Sequence, residues 1–202
     1  MNITAALDQT LPSIPWVIFA TVILVIYRRP IGALLGRIEK FATPFGDVHL
    51  IRRDLAIATM KKQEGTAHHS LEGVIALLDT TGSLLRGAAI LWVDDNPLNN
   101  THERAALRRC GAHIDMATTT AKARAYMTRE CYDLIISDIG RQNEGTTGLD
   151  FLHLLRAKGD ITPLVFYVGK VDGPVPRGSS GIVDMPNDLM HLVLQVLARV
   201  SA

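Results

Sequence analysis

The run Ile90-Leu91-Trp92-Val93-Asp94-Asp95, apolar until it ends in two adjacent carboxylates, constrains this chain more than any other feature. Four consecutive apolar side chains do not alternate between a core and water, so the segment reads as a strand buried on both faces, as in parallel sheets. The stretch Asp133-Leu134-Ile135-Ile136-Ser137-Asp138 repeats the design. In open α/β sheets the functional groups gather just beyond the carboxyl ends of the strands. With these two strands as neighbours, Asp94, Asp95 and Asp138 meet at one rim. Three carboxylates placed together repel one another, and such a set usually persists because a hard cation such as Mg²⁺ sits among them.

The rest of this half of the chain supplies alternating elements. Asn96-Pro97 turns the chain, and residues 98–110 read as a helix with Leu98, Ala105, Ala106 and Leu107 apolar and Gly111 closing it. Residues 113–117 form an edge-like strand, and Thr118 to Thr120 offer N-caps for a helix reaching about Glu130. A third helix covers residues 148–157, a fourth strand residues 163–168, and a final helix residues 187–200. The alternation predicts a doubly wound α/β fold: a parallel sheet covered on both faces and joined by right-handed crossovers.

Val-Asp-Asp ending one strand and a lone Asp ending a later one resemble the receiver domain of bacterial two-component response regulators, a flavodoxin-like fold. The resemblance covers residues 88–202. It implies that Asp94, Asp95, Asp138 and the backbone of Gly140 hold Mg²⁺, and that Asp138 accepts a phosphoryl group from a histidine kinase. It also implies a Ser or Thr ending the fourth strand and a Lys, followed by Pro, ending the fifth. This sequence departs at both places: Val168 stands where the hydroxyl is expected, and Met185-Pro186 is the nearest match to Lys-Pro. Lys170 is the candidate surrogate for the missing cation. Residues 170–180 are short and rich in Gly and Pro, which leaves the fourth helix shrunken or missing. The loop at residues 140–147 is about two residues longer than usual and lacks the common Met-Pro.

Composition narrows the function classes. In 202 residues the net charge is +1, and no basic run is interleaved with aromatics, which argues against nucleic acid as a partner. Cys110 and Cys131 lack metal-ligand spacing and read as small, buried or half-buried residues in helices. His68-His69 is adjacent rather than spaced for one helix face, which disfavours a metal site. No Gly-rich phosphate loop or Ser-His-Asp set accompanies the acids, so the chain is not expected to be an enzyme.

Residues 11–27 hold no charge and are rich in Ile, Val, Leu and Phe. As a helix they span about 26 Å, the short end of what crosses roughly 30 Å of hydrocarbon. Pro12 and Pro15 suit a first helical turn, Trp16 and Tyr27 bracket the span, and Arg28-Arg29 follows at once. Only Asp8 precedes it. The expectation is a single-pass anchor in a bacterial cytoplasmic membrane, with its N-terminus outside, its helix in contact with lipid and the remainder cytoplasmic. A signal peptide would show the reverse polarity.

The organisation expected is therefore a tail (1–10), a transmembrane helix (11–29), an amphipathic helical connector (30–87) and the receiver-like domain (88–202). In the connector, Ile31, Leu34, Leu35, Ile38 and Phe41 have helical spacing and Pro44 stops the run; residues 45–51 read as a brief strand or a loop. Residues 52–62 are helical again. Leu71, Val74, Ile75, Leu78, Leu84 and Leu85 outline another helix weakened at Thr80-Thr81-Gly82. Such stripes pack on their own chain or pair two copies into a homodimer. The expected function is a membrane-anchored signalling protein of the two-component type, working through contacts with a histidine kinase or other signalling protein. The alternative is an unphosphorylated pseudo-receiver acting as a structural adaptor.

Overall fold

Five strands, β1 (Ala89–Val93), β2 (His113–Ala117), β3 (Leu134–Ser137), β4 (Leu164–Tyr167) and β5 (Gly181–Val183), pair in parallel in the order 2-1-3-4-5. This is the doubly wound, flavodoxin-like order, in which the switch of direction falls between β1 and β3. The computed structural model describes residues 44–62, 67–141 and 145–201. The candidate membrane span at 11–29 and the start of the connector lie outside the described residues. Among the described residues no helix is long and apolar enough to cross a membrane.

The helices are α1 (Pro44–Lys61), α2 (Leu71–Thr81), α3 (Thr101–Arg109), α4 (Thr120–Met127), α5 (Gly148–Ala157) and α6 (Pro186–Val200), with a 3-10 turn at Gly82–Leu85 after α2. Side chains alternate along the central strands and split the interior in two. Ile90, Trp92, Leu134, Ile136, Val165 and Tyr167 face α1, α2, α3 and α6. Leu91, Val93, Ile135, Leu164 and Phe166 face α4 and α5. Burial of β1 and β3 on both sides explains their unbroken apolar sequence.

Several local expectations are revised. Residues 45–51 are neither strand nor loop: α1 starts at Pro44, a residue suited to a first helical turn, and Ile51, Leu55 and Ala58 make one buried stripe. α2 ends at Thr81, capped at its start by Ser70, whose hydroxyl accepts from Gly73 N at 3.1 Å. α3 begins at Thr101, and Leu98 lies exposed in the preceding turn. α4 ends at Met127, short of Glu130. The fifth strand that the resemblance implied ahead of Met185-Pro186, absent from the alternation read off the residues, runs through Gly181–Val183, and residues 170–180 carry turns only. Cys131 is exposed in a loop, and Cys110 is half-buried at the end of α3.

The apolar stripes of α1 and α2 are used within the chain. Ile51, Leu55, Val74, Ile75 and Leu85 belong to the same core cluster as the sheet and α6. Asp54, buried on α1, accepts from Arg109 Nε of α3 at 2.8 Å. His69, just before α2, meets the buried Asp188 of α6 through its backbone N at 2.9 Å and its Nδ1 at 2.8 Å, and its ring stacks on His191 at 3.7 Å. His68-His69 thus anchors the start of α2 to α6. Because Leu55 is fully buried, Leu55→Ala is expected to cost about 2–4 kcal/mol. The midpoint of urea unfolding followed by circular dichroism measures it.

Candidate functional site

β1 and β3 are direct neighbours in the register Val93↔Ser137, so the next residue of each, Asp94 and Asp138, is delivered to the same rim. The backbone fixes both: Asp138 N donates to Val93 O at 2.9 Å, and Asp94 N to Ala117 O at 3.0 Å. Asp94, Asp95 and Asp138 each offer a carboxylate oxygen, and these lie within 4.8 Å of one another. The three acids singled out in the sequence are thereby brought together.

Asp94 is buried, and the turn after it winds around its carboxylate. Asn96 N donates to Oδ1 at 2.8 Å and Asn100 Nδ2 to Oδ2 at 2.6 Å. That use of residues 96–100 is why α3 starts later than its apolar pattern suggested. Burial pushes the Asp94 carboxyl above its ordinary range, opposed by these two hydrogen bonds. Asp138 is also raised, by burial first and then by the charge of Asp94; backbone hydrogen bonds at Gly140 and Ile139 pull the other way. Both acids are therefore held above their usual range chiefly by burial, with the charge of a neighbouring aspartate adding to it.

The segment after Asp138 is fastened from behind. Arg141 is buried, donating to Ser137 Oγ at 2.7 Å and to Thr120 Oγ1 at 2.6 Å, with its guanidinium 5.6 Å from the centre of the Phe151 ring. Gly148 N donates to Ile139 O at 2.9 Å, seating the start of α5 against the backbone that carries Asp138. A Cβ at Gly148 would stand 2.1 Å from Asp138 O, so only glycine permits this approach. Thr147 and Asp150 cap α5 reciprocally.

A cavity of about 580 Å³ opens at this rim, lined by the three acids, Asn96, Asn100, Glu103, Gly140, Tyr167, Val168 and Gly169, and by Ala58, Lys61 and Lys62 of the α1 end. Val168 is buried at the end of β4, and Met185 is buried in the core at the start of α6. Lys170 is exposed and outside the cavity lining. Two cations that sequence reasoning missed do line it, the exposed Lys61 and the half-buried Lys62; for Lys62 the contacts are specific. Its Nζ donates to Val168 O at 2.6 Å and stands 4.2 Å from the Tyr167 ring centre. Tyr167 in turn donates to Glu103 Oε1 at 2.8 Å, and burial beside that carboxylate drives its phenol well above the ordinary range. Burial also lowers Lys62, against the attraction of Glu103, Asp184, Asp138 and Asp94.

The all-oxygen donor set suits a hard divalent cation. Oxygens on opposite sides of an octahedral Mg²⁺ lie about 4.2 Å apart, so small side-chain rotations, or waters in some ligand positions, close the 4.8 Å spread. The residues fit the ion.

Several solved structures similar to this chain are receiver domains. The receiver domain of Francisella response regulator 1452 is 17% identical and superposes with a TM-score of 0.50 over 57% of this chain and 100% of its own. Chemotaxis response regulator CheY4 of Vibrio cholerae is 24% identical, with a TM-score of 0.44 over 56% of this chain and 98% of its own. TrrA from Thermotoga maritima, solved with Mg²⁺ and BeF, is 23% identical, with a TM-score of 0.48 over 54% and 98%. No family model matches the chain, and no curated protein sequence is significantly similar to it. The likeness to the Francisella domain, at a TM-score of 0.50, bears on the fold alone: a five-stranded, receiver-like fold.

Proposed function

We propose that this chain is a signalling protein of the two-component type whose receiver-like unit binds Mg²⁺ at Asp94, Asp95 and Asp138 and accepts a phosphoryl group on Asp138. The observation that carries the reading is the convergence of the three carboxylates within 4.8 Å at the β1/β3 rim. A carboxylate attacks a phosphoryl donor poorly because both are anionic, and a bound Mg²⁺ supplies the neutralisation. The chain's own groups do the rest. The backbone N–H groups near Gly140 and Ile139 orient Asp138, and Asn96 and Asn100 hold Asp94. An Asp138 oxygen forms the new bond to phosphorus as the donor's bond to that phosphorus breaks, and the bonding pair leaves with the donor. The chain is then the acceptor in this reaction, not a turnover enzyme.

Around that site we place a histidine kinase or another phosphodonor protein as partner. The uncharged residues 11–27, followed by Arg28-Arg29, serve as a single-pass anchor in a bacterial cytoplasmic membrane with the receiver-like unit inside. The adaptor reading keeps its own support in the side chains at the switch positions, Val168 and Met185, which offer neither hydroxyl nor ammonium.

One experiment separates the two. The full chain incubated with Mg²⁺ and acetyl phosphate should gain the mass of one phosphoryl group, and Asp138→Asn should not. No gain in the wild-type chain, with Mg²⁺ binding absent below millimolar concentrations, overturns the phosphoryl reading in favour of the adaptor.

A further inference from the structure

We propose that Lys62, at the carboxyl end of α1, is the phosphoryl-facing cation of this site, so that the anion on Asp138 is bound by a residue from outside the strand–helix repeat. The inference rests on the phosphoryl reading above and adds the residue that would recognise the product. Ile51, Leu55 and Ala58 form the buried stripe of α1, and the half-buried Lys62, the residue just past the helix end, falls at the next step of that spacing, where an apolar residue would continue it. An ammonium on a buried stripe needs a reason. Here it reaches the carbonyl of Val168 at 2.6 Å, the position where the hydroxyl was expected, and packs over Tyr167.

Four carboxylates, Glu103, Asp184, Asp138 and Asp94, attract this ammonium. Among the described residues none forms a direct ion pair with it. A lysine has three donors, of which Val168 O takes one. Lys62 thus stands at the mouth of an acidic cavity with donor capacity remaining, held by a neutral carbonyl and a ring face rather than neutralised by a carboxylate. Lys61, the other cation in the lining, is exposed. α1 itself is fastened by Leu55 in the core and by Asp54 on Arg109, which fixes where the ammonium starts from.

Such a cation has opposite effects on the two ligands of the site. It repels Mg²⁺ entering the acid cluster and attracts the anion that follows. A residue that merely supported the fold would weaken both when removed. The test uses full-length wild type, Lys62→Gln and Lys62→Arg, with Mg²⁺ alone and with beryllofluoride in excess Mg²⁺, read by calorimetry and by tryptophan fluorescence in a Trp16→Phe background, which leaves Trp92 as the emitter. In Lys62→Gln, Mg²⁺ affinity should rise about 3-fold or more, and beryllofluoride affinity should fall about 10-fold or more, as expected for one charge at an effective dielectric near 20 after screening. Lys62→Arg should restore most of the anion affinity. Wild-type binding of both ligands with unchanged affinities in Lys62→Gln, or a parallel loss of both, overturns the assignment of Lys62 alone. Failure of the wild type to bind beryllofluoride overturns the phosphoryl reading and this inference with it.

Discussion

Gly148→Ala is expected to destabilise the fold by about 3 kcal/mol or more and to weaken Mg²⁺ binding in the same variant. The methyl group would lie 2.1 Å from the Asp138 carbonyl oxygen, 3.0 Å from its carbon and 3.0 Å from Ile139 Cα. All three are backbone atoms next to the acid cluster, so no flexible side-chain tip can swing aside. Either α5 withdraws, breaking the bond from Gly148 N to Ile139 O and disturbing the packing of Phe151 and Leu152, or the Asp138 backbone moves away from Asp94. Both routes damage the site. Gly145→Ala is the control, since nothing lies within 4 Å of its Cβ position. Urea unfolding and Mg²⁺ titration of the two variants provide the comparison. A Gly148→Ala chain within about 0.5 kcal/mol of wild type would mean that α5 does not press on the Asp138 backbone as described.

The features legible in the sequence were those carried by contiguous runs. Ile90–Val93 and Leu134–Ile136 are apolar at every position because α1, α2, α3 and α6 cover one face of the sheet and α4 and α5 the other. Their terminal aspartates could therefore be placed at one rim before any geometry was known. β5 was implied only by the resemblance and not by periodicity, because three residues, Gly181–Val183, are too few to carry a period, and the strand is held by pairing with β4. The start of α3 was misplaced because Asn96 and Asn100 are committed to the Asp94 carboxylate, a side-chain demand that overrides helical spacing. Lys62 was hidden for a different reason. It lies far from the acids in sequence, on a segment read as a connector, and its only trace was an ammonium at the next position of an apolar stripe. Lys170 was nearer in sequence to the rim, yet the chain leaves it in solvent.

Removing one acid should make the metal-free protein more stable. Asp94 and Asp138 both have carboxyls raised above the ordinary range, chiefly by burial and, for Asp138, also by Asp94. A carboxyl whose folded-state pKa is raised binds its proton more readily in the native than in the unfolded chain. Its stabilising contribution is complete below the unfolded value and is lost as pH rises through the folded one. Without divalent ions the charged form of either group works against the fold. Asp138→Asn keeps the shape and removes one charge, so at pH 7 in chelator it should gain on the order of 1 kcal/mol after solvent screening, about 2–4 °C in Tm. The advantage over wild type should shrink as pH falls from the raised range of Asp138 toward the ordinary carboxylate range. Mg²⁺ reverses the ranking. At a hundred times its Kd, an ion bound only by the native state adds about 2.7 kcal/mol, and the wild type, with three acids, should take most of that gain. Thermal unfolding of both chains across pH, with chelator and with Mg²⁺, reads all four arms. If Asp138→Asn were less stable than wild type in chelator at pH 7, the acids would be supporting the fold rather than straining it, and their convergence would no longer argue for a metal.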